Sequence, residues 1–371
     1  MSVDIRPGEE TKNFCCSKGL KPLVKTILSN RSIVKEIFWE KKMRIVEMTS
    51  ENRNEALRFL KAYEGRCVSL VERALRGRGN IFLLVEDKTT IAGVFSLSNS
   101  GSLLHCLPFA QKLSVRSKKR IGEATELLSP FLAERGVFCI NGEADGSELL
   151  ENAVRLAGVD KVLEAREYYR MEYEAERDTF SRREAEFAEL EREAQEKEER
   201  ASLYGIEYSA EKPTESVDGT VALKNTGEIV KCSTKDLMFL LSMEEEYQKN
   251  EVLPTGIEFN ADSCRLGLAG KLRLQDVYAD KIGDEYVAKA YTSAKGVNWV
   301  QIGGVYTKPL YRKLGIAGKL VSHIARKAAE GGKQTALFVR ELNTRAVHSY
   351  ERAGFVKKGS WRIVYFTQDV S

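Results

Sequence analysis

The segment VYTKPLYRKLGIAG, residues 305–318, constrains the fold of this 371-residue chain more than any other. An alternating strand pattern ends at Thr307, and Pro309 ends the strand pairing because proline has no backbone N–H to donate. A helical pattern begins near Leu314. The first N–H groups of a helix have no partner within it, and the positive end of the helix dipole lies behind them. The segment therefore predicts an α/β fold in which a helix N-terminus binds an anion such as a diphosphate.

The composition of this turn also suits a phosphate site. Small residues let phosphate oxygens approach the backbone, which bulky side chains would prevent. Lysine and arginine side chains add positive charge beside the helix N-terminus. The small residues are Gly315, Ala317 and Gly318, and the cations are Arg312, Lys313 and Lys319.

A second motif follows the next predicted strand, TALFVRE, residues 335–341. Asn343 comes directly after this strand, where an asparagine can cap the helix that follows. Ala346 and Tyr350 are four residues apart and share one face of that helix, so the small side chain leaves room beside the tyrosine. Gly354 and Phe355 then end the helix and return the chain to the sheet.

The two motifs together resemble the GNAT superfamily of acyl-CoA N-acyltransferases. R-x-x-G-x-A follows a V-x-T strand, N-x-x-A-x-x-x-Y-x-x-x-G-F comes after it, and the match covers about residues 298–366. The resemblance implies a mixed α/β sheet, acetyl-CoA as the acyl donor, and direct attack of an amine on the thioester. No metal is implied.

The resemblance also assigns roles to individual residues. The strand end would pair with the pantetheine arm, residues 312–318 would cradle the diphosphate, and Asn343 would lie near the cofactor. Tyr350 would be the general acid for the departing thiolate, since a phenol of pKa about 10 can protonate a thiolate of similar basicity. The implied cofactor-binding residues are Val305, Tyr306, Thr307, Arg312, Lys313, Leu314, Gly315, Ile316, Ala317, Gly318 and Asn343.

Each of these assignments has a plainer alternative. Tyr350 is also explained as a packed core tyrosine, and Asn343 as a helix cap alone. For the general base, the sequence offers the run Glu244, Glu245 and Glu246, although three consecutive glutamates more often form a solvated helix face.

Composition excludes several other classes of protein. Three scattered histidines argue against a histidine-ligated metal site, and seven cysteines without a C-x-x-C pair argue against a zinc ribbon or a disulfide framework. The net charge of +4 is too even for a nucleic-acid or membrane partner. The first residues lack the apolar run of a signal peptide, so we predict a soluble, cytoplasmic protein.

The distribution of charge and pattern predicts four parts, with two GNAT-like mixed-sheet domains of α/β (α+β) class joined by a charged helix. Residues 1–42 form an N-terminal extension, and 43–175 a degenerate GNAT-like domain without a cofactor loop. Residues 176–215 form a charged helical linker that mainly faces solvent, with a thin apolar stripe at Phe180, Phe187 and Leu190. Residues 216–371 form the catalytic domain.

The acceptor side carries no motif. The predicted partner is a small-molecule or protein amine, and a homodimer is compatible with the sequence. The alternative to an enzyme is a non-catalytic sensor or scaffold that binds acyl-CoA through the same loop.

Overall fold

The computed structural model of the chain describes residues 43–87, 89–111, 115–159, 161–203 and 227–367. The predicted extension 1–42 lies outside these residues, as does the end of the predicted linker. The strands are β1 Arg44–Glu47, β2 Asn80–Glu86, β3 Thr90–Leu97, β4 Ser102–Cys106, β5 Cys139–Glu143, β6 Val162–Asp178, β7 Glu228–Cys232, β8 Val277–Ile282, β9 Glu285–Lys295, β10 Trp299–Thr307, β11 Gln334–Arg340 and β12 Ala353–Phe366. The α-helices are α1 Arg53–Ala62, α2 Val68–Arg76, α3 Val115–Arg135, α4 Ala144–Leu156, α5 Thr179–Leu203, α6 Leu237–Tyr247, α7 Ala261–Leu274, α8 Ile316–Glu330 and α9 Thr344–Arg352.

The two halves of the chain repeat one order of elements. Each half runs strand, two helices, three strands, helix, strand, helix and a long last strand. In the N-terminal half β4 pairs in parallel with β5, and in the C-terminal half β10 pairs in parallel with β11. In each case a helix connects the two strands. The structure therefore confirms that the N-terminal half repeats the fold of the C-terminal half, and that the fold is mixed α/β.

All twelve strands lie in one sheet, in the order β1-β2-β3-β4-β5-β12-β6-β11-β10-β9-β8-β7. The last strand of each half is shared with the other half. β6 pairs with β11 through Tyr168–Glu172, and β12 pairs with β5 through Trp361–Tyr365. β6 and β12 are 17 and 14 residues long, so they also pair antiparallel with each other at the centre. Met43–Ser371 is thus one compact unit, in which the two halves predicted as GNAT-like domains share one sheet.

Strand sharing predicts that the C-terminal part does not fold alone. A fragment of residues 216–371 loses β6, which leaves the edges of β11 and β12 unpaired in the middle of the sheet. We expect this fragment to aggregate or to lack a cooperative unfolding transition, measured by circular dichroism and size-exclusion chromatography. The comparison is residues 162–371, which keep β6. A soluble, cooperatively unfolding 216–371 fragment would contradict the shared strands.

The charged helix α5 is attached to the C-terminal half at its start. Phe180 is buried, and a Cβ added at Gly318 of α8 would lie 2.6 Å from its ring. Glu184 forms a 2.7 Å ion pair with Arg326 of α8. The first residue of the predicted apolar stripe therefore packs against α8, while Arg182, Arg183, Ala185 and Glu186 of the same helix are exposed. The side chains of Phe187 and Leu190 lie outside the described residues.

A buried carboxylate fixes the junction between β6 and α5. Asp178 is fully buried and accepts hydrogen bonds from the backbone N–H groups of Phe180 and Ser181, at 3.0 and 3.2 Å. Its other oxygen accepts from the hydroxyls of Ser322 and Tyr173, at 2.6 and 2.9 Å. Asp178 thus caps α5 and links it to α8, the helix that follows the predicted cofactor loop.

The helices of the C-terminal half cover both faces of the sheet. Side chains of α8 and α9 share one apolar cluster, and those of α6 and α7 share another with the alternate residues of β8 to β10. No helix among the described residues is both long and apolar enough to cross a membrane.

Candidate functional site

A gap opens between two parallel strands of the C-terminal half. Only Trp299–Ile302 of β10 pair with β11, where their partners are Gln334–Leu337, and the pairing stops there. On its other side β10 has an irregularity between Gly303 and Tyr306, where Gly304 adopts a φ of +63°. A Cβ at Gly304 would lie 1.9 Å from the Tyr291 ring, so only glycine fits this bulge. The backbone of β10 beyond the bulge is consequently free of β11 and faces the gap.

The predicted anion loop lies at the end of β10. A single 3₁₀ turn, Pro309–Tyr311, is followed by Lys313 and Gly315 with φ of +69° and +78°. The helix begins at Ile316 rather than at the predicted Leu314, and its first backbone hydrogen bond runs from Lys319 N–H to Gly315 C=O at 3.0 Å. The N–H groups before Lys319 are the partnerless donors of a helix N-terminus. The loop therefore has the geometry of an anion site.

The cations of the loop differ in what they contact. Arg312 is exposed, donates from Nε to the Thr307 carbonyl at 3.0 Å, and lies 5.6 Å from the centroid of the Tyr306 ring. Lys319 instead donates to the carbonyl of Gly227 and lies 3.3 Å from the buried carboxylate of Asp280. The expectation that Lys319 adds charge to the phosphate site is therefore wrong, whereas Arg312 remains beside the loop.

Two tyrosines lie in different apolar clusters of the C-terminal half, Tyr350 with α8 and α9 and Tyr247 with α6 and α7. Tyr350 lies on α9 and is 8% exposed, and both its burial and the negative charge of Glu251 raise the pKa of its phenol. Tyr247 ends α6, and its pKa is raised by burial and by the nearby charges of Glu244 and Tyr350. Both phenols therefore hold their protons firmly near neutral pH.

A buried charged cluster lies directly behind the bulge. Lys289 and Glu244 are both fully buried, and Lys289 Nζ lies 2.6 Å from Glu244 Oε2. Lys271 Nζ lies 2.8 Å from Glu244 Oε1. Lys289 also donates to the Gly304 carbonyl at 3.0 Å. The cluster thus supports the strand conformation that opens the gap.

The charged cluster rules out one predicted base. Burial alone would raise the pKa of Glu244, but the lysines Lys289 and Lys271 lower it to about 2. For Lys289, burial lowers the pKa of the ammonium by more than the Glu244 carboxylate raises it, so the pKa is lowered overall. A carboxylate that accepts a lysine at each oxygen does not take a proton from an amine near neutral pH. Glu244 is therefore a structural residue.

Asn343 acts as the cap of α9. Its side-chain oxygen accepts from the backbone N–H of Ala346 at 3.2 Å, which confirms the predicted helix cap. Contact of Asn343 with a cofactor stays a prediction. The same cap fixes the start of the helix that carries Tyr350.

The N-terminal half differs at the position that corresponds to the gap. β4 and β5 pair only through Ser102–Leu104, and the next residue, His105, is 2% exposed. A Cβ at Gly142 or Gly146 would lie 2.0 or 2.5 Å from its imidazole, which therefore fills the space between strand and helix. His105 Nε2 lies 2.9 Å from Ser147 Oγ, and burial lowers the pKa of the ring to about 3. A neutral, packed side chain thus occupies the place where the other half is open.

A cavity of about 380 Å³ lies beside the segment that follows α6. Its walls come from both halves of the chain: β6 contributes Glu164 and Arg166, and the C-terminal half contributes Lys249, Phe259 and Arg340. Sequence reasoning missed all five residues. The missing information is the sharing of β6, which no local pattern indicates.

Comparison with known proteins agrees with this architecture. Residues 242–355 match the model of the acetyltransferase (GNAT) family. The X-ray structure of a Drosophila protein is similar in fold with a TM-score of 0.55 and 14% identity, covering 88% of this chain and 99% of that one.

Two further solved structures align at 10% identity. A tandem GNAT protein from the clavulanic acid biosynthesis pathway, solved without AcCoA, has a TM-score of 0.49 and covers 87% of this chain and 98% of that one. A GNAT-family acetyltransferase from Colwellia psychrerythraea has a TM-score of 0.47, covering 88% and 100%. No curated protein matches the chain.

Proposed function

We propose, because residues 242–355 match the model of the acetyltransferase (GNAT) family, that this chain is an N-acetyltransferase that transfers an acetyl group from acetyl-CoA to an amine. One observation carries the proposal: the pairing of β10 with β11 stops at Ile302, and β10 continues from there to the anion loop and the N-terminus of α8. Tyr350 packs in the same apolar cluster as α8. An elongated ligand with a diphosphate at one end and a thioester at the other suits that arrangement.

The residues around the gap fit the donor. The backbone of β10 from Gly303 to Thr307 offers hydrogen bonds that β11 does not use, which suits the amides of a pantetheine arm. The Thr307 Oγ1 atom is buried and has no hydrogen-bond partner in the described part of the chain. The N–H groups at the start of α8 and the Arg312 guanidinium would bind the diphosphate through charge-assisted hydrogen bonds.

The chemistry requires a proton donor at the thioester end. Bound acetyl-CoA supplies an acetyl thioester that an amine can attack without a covalent enzyme intermediate. Tyr350 would hold a proton for the leaving sulfur, and its raised pKa keeps the phenol protonated throughout the neutral range. Burial of this tyrosine also excludes water from the reacting atoms.

The donor site is tested by replacing Arg312. Arg312→Ala removes the exposed guanidinium beside the loop, and we expect acetyl-CoA to bind more weakly by about 1–3 kcal/mol, roughly 5- to 150-fold. Isothermal titration calorimetry on the full chain measures this. Arg58→Ala is the control, since Arg58 is a highly exposed arginine of the N-terminal half. Equal affinity of the wild type and both variants would show that the loop does not bind the diphosphate. Turnover is tested separately, by measuring the release of free thiol from acetyl-CoA with a panel of amines.

A further inference from the structure

The cavity at the end of α6 has walls that are largely fixed before any ligand binds. Arg166 is 7% exposed and forms a two-pronged ion pair with Glu164, with nitrogen–oxygen distances of 2.6 and 3.0 Å. The same guanidinium donates to the carbonyls of Glu251, Val252 and Leu253 at 3.0, 2.9 and 2.6 Å. These bonds fasten the segment after α6 to β6, so the cavity is a built site rather than a loose surface groove.

The charge that remains in the cavity is positive. Glu164 and Arg166 neutralise each other, and Glu164 also accepts from the Thr255 backbone N–H at 2.9 Å. Among the described residues, the carboxylate closest to Arg340 is that of Glu164, at 3.8 Å, and the buried Nε of Arg340 has no hydrogen-bond partner there. Lys249 is 41% exposed, its Nζ lies 3.6 Å from a Glu245 carboxylate oxygen, and it lies 4.5 Å from the centroid of the Phe259 ring. Within the described part of the chain, the ion pairs of these two wall cations are therefore long.

The turn that carries Lys249 also carries a negative charge, that of Glu251. Lys249 and Glu251 both belong to the π-helical turn Gln248–Val252 that follows α6. Lys249 lines the cavity, while the carboxylate of Glu251 is near enough to Tyr350 to raise the pKa of its phenol. One turn of the chain thus offers an anion to the Tyr350 end and a cation to the cavity. Helix irregularities of this kind often occur at functional sites.

We propose that this cavity binds the acceptor, and that the acceptor is an amine that also carries a carboxylate or phosphate group. Arg340 and Lys249 hold the anionic group, and the amine lies toward Glu251 and Tyr350. A volume of about 380 Å³ is at the small end of ligand sites and fits a molecule of amino-acid or amino-sugar size. This inference rests on the proposed N-acetyltransferase function.

Matched pairs of amines test the inference. The panel contains glycine and glycinamide, phenylalanine and phenylalaninamide, and glucosamine 6-phosphate and glucosamine; the first two pairs test a carboxylate and the third a phosphate. We expect at least one anionic member to have a KM about 10-fold or more below that of its neutral partner. Arg340→Gln should raise the KM of that member about 10- to 100-fold and leave the neutral one unchanged, and Arg340→Lys should restore part of the difference.

The control and the contrary outcomes separate this inference from the proposed function. Arg76→Gln removes an arginine of similar exposure in the N-terminal half and should leave every KM unchanged. If no anionic amine is preferred, or if Arg340→Gln weakens both members of a pair equally, the inference is wrong while the enzyme stands. If no amine is acetylated, calorimetric titration of the same pairs tests binding alone. Binding of an anionic member that Arg340→Gln abolishes supports the proposed acceptor site, and the lack of such binding overturns it.

Discussion

Tyr350→Phe is expected to lower kcat by about 100- to 10,000-fold, the usual contribution of a general acid. The substitution removes one hydroxyl from a buried side chain and leaves its packing against Phe355 in place, so the fold should be unaffected. The affinity for acetyl-CoA should also stay within about twofold, because the diphosphate and pantetheine contacts lie elsewhere. Steady-state thiol release and calorimetric titration measure the two quantities separately.

The same substitution distinguishes an enzyme from an acyl-CoA sensor. A sensor has no turnover to lose, so only an enzyme shows a large fall in kcat at constant donor affinity. Tyr278→Phe is a suitable control, since Tyr278 is a partly buried tyrosine of β8 whose ring contacts His323 of α8. Unchanged kcat in Tyr350→Phe would mean that Tyr350 is a packed tyrosine, and equal losses of binding and turnover would indicate a structural role.

The local features of the site could be predicted from the sequence because they depend on neighbouring residues. The positive φ of Gly315, the orphan N–H groups at the start of α8 and the cap at Asn343 all follow from residue types within one turn. The spacing of Ala346 and Tyr350 likewise determines which face of α9 meets the sheet. The start of α8 and the bounds of β11 differ from the predicted ones by at most two residues.

Long-range pairing could not be predicted in the same way. β6 reads locally as the last strand of the N-terminal half, and nothing in its sequence shows that it pairs with β11. The cavity at the end of α6 depends on that pairing, because β6 supplies Glu164 and Arg166. Glu244 illustrates the same problem: its partners Lys271 and Lys289 are 27 and 45 positions further along the chain. A run of glutamates therefore looked like a solvated helix face although one of them is fully buried.

The buried cluster of Glu244 and its two lysines leads to the largest expected change in stability. Glu244→Gln removes the negative charge and leaves Lys289 buried without a carboxylate, so we expect the free energy of unfolding to fall by about 3–5 kcal/mol. Lys289→Met should cost less, because Glu244 keeps Lys271, whose side chain is 28% exposed. Urea denaturation followed by circular dichroism gives both values.

The double variant and the pH dependence test the cause of this loss. Glu244→Gln with Lys289→Met removes both fully buried charges, so it should be more stable than Glu244→Gln alone. The pKa of Glu244 is lowered to about 2 from an ordinary value of 4.5, so its contribution to stability is complete above pH 4.5 and disappears as the pH falls toward 2. The advantage of the wild type over Glu244→Gln should shrink over that interval. A constant difference at all pH values would show that packing, rather than the charge of Glu244, holds the strand bulge at Gly304 in place.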